Sequence, residues 1–359
     1  MEHAVTKAVS PVVVRFGRLG DTVLLQPLLH RLHRRFGQPC VLLASGVWPA
    51  SLYAGHADVA RVIQIRHVHW PFALSPERWR AVLALHRLRD APVYVCEPEP
   101  RALSKVRRML FLAGIHPDNC QFLSDMRMTV DEHWIDRLLR FGDGVPRAFR
   151  DFGYNNVANG GSTAPRLQLG ETDRADRDAW LCDRELADGP LVLLQPANKR
   201  TMRWSGVRGP EDDKWWPVER WTLLARSIRA RLPESHVLLC GTPVEADYLH
   251  TIRKAAANAR VHVMAEALPL RRLMALLEIA HSMVSVDTGP AHLAAALGCP
   301  VVVLFGKVSS THWKPRSVSS NTVCAMGGPS RGGRIDALSA EEVVAAWAAL
   351  PRRIVDQPR

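Results

Sequence analysis

Short apolar, β-branched runs alternate along the chain with longer stretches in which apolar residues recur every three or four positions. Val12-Val13-Val14-Arg15-Phe16 has the run length of a strand, and Gly17-Arg18-Leu19-Gly20-Asp21 reads as a turn. Leu24, Leu25, Leu28, Leu29 and Leu32 then form one apolar stripe, which predicts a helix from about Thr22 to Arg35. Pro27 marks that helix's first turn or a kink, and Gly37 closes it. Cys40 to Ala44, Val62 to Ile65 and Val93 to Cys96 predict further strands, with helices from about Pro76 to Leu88 and from Leu103 to Ala113. The glycine-rich stretch 141–170 reads as a long loop or linker.

A second set of alternations begins after a helix from Thr172 to Leu186. Leu191 to Leu194 and His236 to Cys240 predict strands; Val218 to Arg231, Val244 to Asn258 and Arg271 to Ala280 predict helices. The stretch Val284 to Gly306 is the most regular of all. Val284 to Val286 end a strand, Asp287-Thr288-Gly289 turn, Pro290 opens a helix at the position that tolerates a fixed φ and a missing N–H, Gly298 stops it, and Val301 to Phe305 form a strand apolar on both faces. A helix from Ser339 to Leu350 follows, with Ser339 and Glu342 spaced as a capping box. Strand and helix thus alternate in both halves, which predicts an α/β chain of two Rossmann-like domains facing each other across a cleft. The expected divisions are 1–170, 171–335 and a C-terminal helical segment, 336–359, that packs back on the first domain.

Composition changes this picture little, but charge adds to it. At 359 residues, 47% hydrophobic and 23% charged, the chain has ordinary globular composition. The first residues lack the basic-then-apolar build of a signal peptide and no run reaches the roughly 18 apolar residues of a membrane span, which predicts a cytoplasmic protein. Seven scattered cysteines, none spaced as C-x-x-C, argue against a disulfide framework or a zinc site. The formal charge is +12, and residues 1–150 carry 21 Lys and Arg against 13 Asp and Glu. Such a field suits an anionic partner or simply a solvated surface.

Asp287-Thr288-Gly289-Pro290-Ala291-His292, with Pro300 and Phe305-Gly306 beyond it, closely resembles the signature of glycosyltransferase family 9, the lipopolysaccharide heptosyltransferases. Gly20-Asp21, Lys214-Trp215-Trp216-Pro217, and Gly241 with Glu245 resemble the family's other motifs and fall in the expected order, so the resemblance runs from about 11 to 315. It implies a GT-B fold, a nucleotide-sugar donor held mainly by the second domain, and inverting transfer that needs no metal and no cofactor beyond the donor, ADP-heptose being the expected one. It also implies an anionic glycan or glycolipid acceptor, such as a lipopolysaccharide core, at the inner face of the membrane, with peripheral contact there and no nucleic acid.

The chemistry requires a base for the acceptor hydroxyl and a cation for the departing diphosphate. By resemblance Asp21 is the base and Lys214 the cation; as residues alone, Asp21 better suits a helix cap and Lys214 a solvated loop. Gly20 would allow close approach of backbone and substrate. Thr288 and Gly289 would donate to the diphosphate, Asp287 would accept from sugar hydroxyls, and His292 would either donate to a phosphate or pack beneath the turn. Glu245 matches the acidic residue that holds the ribose, or else favours a helix start by its charge. Leu270 matches the place of an apolar residue lining the base pocket. Arg18 would meet an anionic acceptor or steady the charge of Asp21, or is a surface residue. Asp176-Arg177-Asp178 has D-x-D spelling, but residues two apart on a helix face different ways, and His67-Val68-His69 lacks a third ligand; no metal is expected. Without G-x-G-x-x-G or a P-loop, a dehydrogenase or NTPase is disfavoured. The alternatives are a nucleotide-sugar epimerase, a transferase with another donor, or an inactive basic binding protein of the same fold. The stretch from Arg200 to Asp213 is a lid or a plain loop.

Overall fold

A computed structural model describes residues 9–67, 70–127, 129–152, 162–198, 202–203, 206–207, 209–265, 268–319, 321–351 and 353, with backbone alone at 202–203 and 206–207. The chain divides into two units, 1–168 and 169–359.

In the first unit the strands are β1 (Val12–Arg15), β2 (Cys40–Ser45), β3 (Val59–Ile65), β4 (Val93–Val95) and β5 (Cys120–Phe122). They form one parallel sheet in the order β3-β2-β1-β4-β5. The helices are α1 (Leu19–Leu24), α2 (Gln26–Phe36), α3 (Pro49–Leu52), α4 (Pro76–His86), α5 (Pro100–Leu112) and α6 (Trp134–Asp143). The single helix expected after β1 is thus two: the chain breaks at Leu25, and Pro27 stands in the first turn of α2, where its missing N–H costs nothing. The expected loop over 141–170 is also revised at its start. Its first residues belong to α6, whose Trp134, Ile135, Leu138 and Phe141 are buried. Gly142 is there for contact rather than for flexibility, since a Cβ would lie 2.4 Å from the Leu28 side chain of α2. Residues 153–161 of that stretch lie outside the described residues.

The second unit holds β6 (Leu191–Gln195), the hairpin β7 (Met202–Arg203) and β8 (Gly206–Val207), then β9 (His236–Cys240), β10 (Val261–Met264), β11 (Ser282–Val286), β12 (Val301–Phe305) and β13 (Val323–Gly327). The larger sheet is parallel throughout, in the order β10-β9-β6-β11-β12-β13. Its helices are α7 (Glu171–Asp183), α8 (Val218–Arg231), α9 (Ala246–Ala256), α10 (Leu270–Ile279), α11 (Gly289–Ala296), α12 (Ser310–Trp313) and α13 (Ala340–Ala348). The C-terminal helix α13 is capped by Ser339 and Glu342 in both directions, at 3.1 and 2.8 Å. Its Val343, Val344 and Trp347 are buried in the second unit's own core, beside Trp221 and Ile228 of α8, rather than forming a separate segment.

Both sheets bury their central strands on two faces, and the apolar runs of β1, β6 and β11 follow from that. Both also reverse direction of strand order once, between β1 and β4 in the first unit and between β6 and β11 in the second. In open parallel sheets the crevice at the carboxyl ends beside such a reversal is where ligands bind.

Candidate functional site

At the second reversal, the carboxyl end of β11 carries Asp287 and the helix that follows begins at Gly289. Pro290 occupies its first turn, as the sequence predicts. Lys214, 73 residues earlier, reaches the same turn: its Nζ donates to Asp287 Oδ2 at 2.5 Å and to the Asp287 carbonyl at 2.7 Å. Both side chains are 11% exposed. An ammonium has three N–H donors, so two are committed to Asp287 and one remains for a ligand oxygen. A carboxylate and a phosphate can therefore share this turn with the lysine between them.

The backbone that aims Lys214 is held on both sides. Trp216 is fully buried, donates from Nε1 to the Leu338 carbonyl at 2.9 Å, and packs edge-on against Trp221 with centroids 4.9 Å apart. Tyr248 Oη donates to the Trp216 carbonyl at 3.1 Å. On the other side Asp213, almost fully buried, accepts from the Lys307 N–H at 2.8 Å, while its carbonyl accepts from Ile335 N–H at 3.0 Å. Gly306 leaves room for this: a Cβ there would lie 2.2 Å from Asp213 Oδ2. The anchoring role of Asp213 was not legible in the sequence, and only its position next to Lys214 hinted at it. Of the stretch from Arg200 to Asp213 expected as lid or loop, Arg200, Thr201, Trp204, Ser205 and Arg208 lie outside the described residues.

The other candidates of the second unit lie at the same edge of the sheet, because all its strands run parallel. Thr288 directs its hydroxyl to the Val286 carbonyl at 3.1 Å, within 3.2 Å of Ser285 Oγ, and its backbone, with that of Gly289, opens α11. His292 is buried one turn into the helix. Glu245, after β9, accepts from Thr242 N–H at 2.6 Å and Thr242 Oγ1 at 3.0 Å, both through Oε2. One oxygen thus caps the turn and the other remains for a ligand, so the capping role and the ribose role are compatible. Leu270, half-buried, begins α10.

At the first unit's reversal, Asp21 accepts from Arg18 N–H at 2.9 Å through Oδ2 and from Arg15 Nη2 at 2.7 Å through Oδ1. It caps α1 and still shows an exposed edge, its side chain being 19% exposed. The cation at its carboxylate is Arg15; of the alternatives left open for Arg18, the structure shows an exposed side chain, and only its backbone meets Asp21. Gly20 sits in the first turn of α1, while the glycine that closes over the carboxylate is Gly17, whose Cβ would meet Asp21 Cβ at 2.6 Å. A second carboxylate, Glu97 two residues past β4, stands 3.6 Å from Arg15 Nη1 and accepts from the Phe16 N–H. Burial pushes its carboxyl up to about 7 in spite of Arg15. The signal for Arg15 and Glu97 was present: Arg15 is the one charged residue of its apolar strand, and Glu97 is the first charged residue after the apolar run Val93 to Cys96.

The discounted patterns have structural duties. Asp176 is bound by Arg272 at 2.7 Å and Asp178 by Arg177 at 2.8 Å. His67 lies 3.2 Å from Glu77, and Val68 and His69 are outside the described residues. Among the described residues no group of three His, Cys, Asp or Glu side chains is placed to hold a metal.

Residues 163–332 match the profile of glycosyltransferase family 9 (heptosyltransferase). The chain is 29% identical over 106 residues to lipopolysaccharide heptosyltransferase 3 of Escherichia coli, covering 29% of this chain and 31% of that one. It is 39% identical over 100 residues to lipopolysaccharide heptosyltransferase 1 of Escherichia coli, covering 26% and 28%. These matches therefore span under a third of the curated relatives' length. Among solved structures it is similar to the Escherichia coli ADP-heptose lipopolysaccharide heptosyltransferase II, with a TM-score of 0.70, 18% identity and coverage of 95% and 98%. It is equally similar to a family 9 glycosyltransferase from Veillonella parvula, with a TM-score of 0.71, 14% identity and coverage of 97% and 98%. The fold is thus GT-B. The segment 163–332, which carries Lys214, Glu245 and the Asp287 turn, is similar in sequence to glycosyltransferase family 9, the heptosyltransferase family.

Proposed function

We propose that the chain is an inverting, metal-independent glycosyltransferase that moves a heptose from ADP-heptose to a hydroxyl of a lipopolysaccharide-core type acceptor. The Lys214–Asp287 pair at the head of α11, within the family 9 segment, carries the reading. In it, the third N–H of Lys214 and the backbone N–H groups of Thr288 and Gly289 take the diphosphate oxygens, where the helix dipole also favours negative charge. Asp287, already fixed by Lys214, accepts from sugar hydroxyls, and the remaining oxygen of Glu245 accepts from the ribose. Asp21 takes the proton of the attacking hydroxyl, with Arg15 holding its other side. As the bond to the diphosphate breaks, charge accumulates on the oxygens nearest Lys214, which is why a compact point charge held in place is useful there. The names of the relatives, which include ADP-heptose and lipopolysaccharide, support the choice of donor and acceptor.

The proposal includes peripheral contact with the inner membrane face. Among the described residues no helix is long and apolar enough to cross a membrane. Support comes from Trp70, Leu74, Trp79 and Leu83, all exposed, in a region, 66–108, that holds nine Lys and Arg against four Asp and Glu. A donor screen decides the main point. ADP-heptose should raise the unfolding temperature more than ADP-, UDP-, GDP- or dTDP-linked hexoses, and product should form only when an acceptor is added. Stabilisation by none of these nucleotide sugars would sink the reading.

A further inference from the structure

Glu97 is the most deeply buried carboxylate among the described residues of the first unit, at 1% exposed. It lies two residues past β4, and β4 pairs in parallel with β1, so the ends of the two strands bring Glu97 to Arg15. The guanidinium of Arg15 is divided three ways: Nη2 to Asp21 at 2.7 Å, Nη1 to the Cys96 carbonyl at 3.2 Å, and Nη1 within 3.6 Å of Glu97 Oε1. It also lies over the ring of Trp134 from α6, 5.2 Å from the centroid, with Arg137 on the same ring. The groups that act on Glu97 are Arg15 and the Phe16 N–H, which favour its charge, and Asp21 and Glu99, which oppose it. One cation therefore serves two carboxylates, and only one of them has an exposed edge.

We propose that Glu97 is a positioning residue for proton removal: through the Arg15 guanidinium that both carboxylates hold, it sets how far the charge of Asp21 is neutralised and so how readily Asp21 takes the acceptor's proton. The inference rests on the reading of Asp21 as the base. When Glu97 is protonated, Arg15 serves Asp21 alone and its carboxylate is a poorer proton acceptor. When Glu97 ionises, Arg15 is shared, Asp21 keeps more of its charge, and the acceptor hydroxyl loses its proton more readily. The proton moves from the acceptor oxygen to Asp21; Glu97 exchanges its own proton only with solvent. Because Glu97 ionises near neutrality, the transfer rate acquires a pH inflection that belongs to a residue that need not touch substrate.

The test compares wild type with Glu97→Gln, which keeps the size of the side chain and an oxygen for the Phe16 N–H. In wild type the transfer rate at saturating donor should rise roughly three- to tenfold through a midpoint near pH 7. In Glu97→Gln it should stay at the level of the acid limb, with the KM for donor unchanged. The nitrogen-15 resonances of the Arg15 side chain give a readout that needs no activity: they should shift with the same midpoint in wild type and not in the variant. An Arg15 signal without that midpoint, or an inflection that survives Glu97→Gln, overturns the inference. Turnover retained in Asp21→Asn, with the Arg15 midpoint intact, removes Asp21 as base and with it the positioning role of Glu97. Equal unfolding temperatures of wild type and Glu97→Gln at pH 5 exclude a folding defect; if they differ, Glu97→Asp should restore the inflection, and its failure to do so overturns the inference.

Discussion

Replacing Asp287 by alanine strands the ammonium of Lys214 at the head of α11. The expected magnitude depends on whether the pair behaves as a surface or a buried ion pair. Exposed pairs are worth about 0–1 kcal/mol, whereas removing one partner of a buried pair costs about 3–5 kcal/mol because the other charge is left without compensation. With both side chains 11% exposed and contacts of 2.5 and 2.7 Å, the pair belongs nearer the buried class. The Asp287 carbonyl survives the substitution and some water reaches the site, so the lower end, about 3 kcal/mol, is expected. For a unit of this size that lowers the unfolding temperature by roughly 6–12 °C. Asp287→Asn, which keeps an oxygen for the lysine, should lose only about 1–1.5 kcal/mol. Urea unfolding of the full chain, followed by tryptophan fluorescence, measures both. A loss below about 0.5 kcal/mol for Asp287→Ala would show that the pair is solvated and that the lysine is not held for a ligand. The two variants also separate function from folding: donor affinity lost in Asp287→Asn at a temperature where it is fully folded reports on the sugar contact itself.

Asp21→Asn should leave donor binding intact and lower the transfer rate by about 10²- to 10⁴-fold, measured with purified donor and acceptor; unaltered turnover would remove it from the chemistry. Gly306→Ala should cost about 1–3 kcal/mol in the same urea assay, since its Cβ must displace the Asp213 carboxylate from the Lys307 N–H; an unchanged midpoint would mean the loop carrying Lys214 is not anchored there. Burial, with His236, Arg253 and Arg260 nearby, pushes His262 down to about 4, so the unfolded chain binds more protons between that value and about 6.5. Stability should therefore fall on acidification through that window by about 1–2 kcal/mol, discounted for partial exposure, and His262→Gln should flatten the loss. Trp79→Ala with Leu83→Ala should weaken sedimentation with vesicles of anionic phospholipid and leave transfer to a water-soluble acceptor unchanged; undiminished sedimentation would place the contact elsewhere.

The central strands were legible because burial on both faces writes long apolar runs, as in Val12 to Val14 and Val301 to Phe305. The edges were not. The strand β5 is three residues long and only half-buried, and every residue of β13 is half-buried, so neither has a periodic signal to separate it from loop. The helix α6 was obscured for a different reason: Gly142 reads as a helix breaker, and its actual duty, contact with Leu28, depends on a residue 114 positions away in sequence. At the site, the spelling of Asp287-Thr288-Gly289-Pro290 carried its own local structure. The partner of Asp21 could not be read the same way, because Arg18 is the nearer arginine in sequence, three residues away against six for Arg15, and only the direction of β1 brings Arg15 to the carboxylate.

The residue that finishes the described chain acts on the helix that starts at the ligand turn. Arg353 donates to the Leu297 carbonyl at 2.9 Å, just past α11, and to the Leu277 carbonyl at 2.7 Å in the last turn of α10. It thereby takes up carbonyls that helix ends leave without partners. With eight residues, α11 is only about 12 Å long, little more than the distance over which salt screens charge. A positive charge at its far end raises the potential at Gly289 by an amount on the order of 1 kcal/mol per unit of ligand charge. On the proposed reading of this turn as a diphosphate site, a single substitution at Arg353 should alter binding of donor and of nucleoside diphosphate product by a similar factor, although Arg353 itself touches neither.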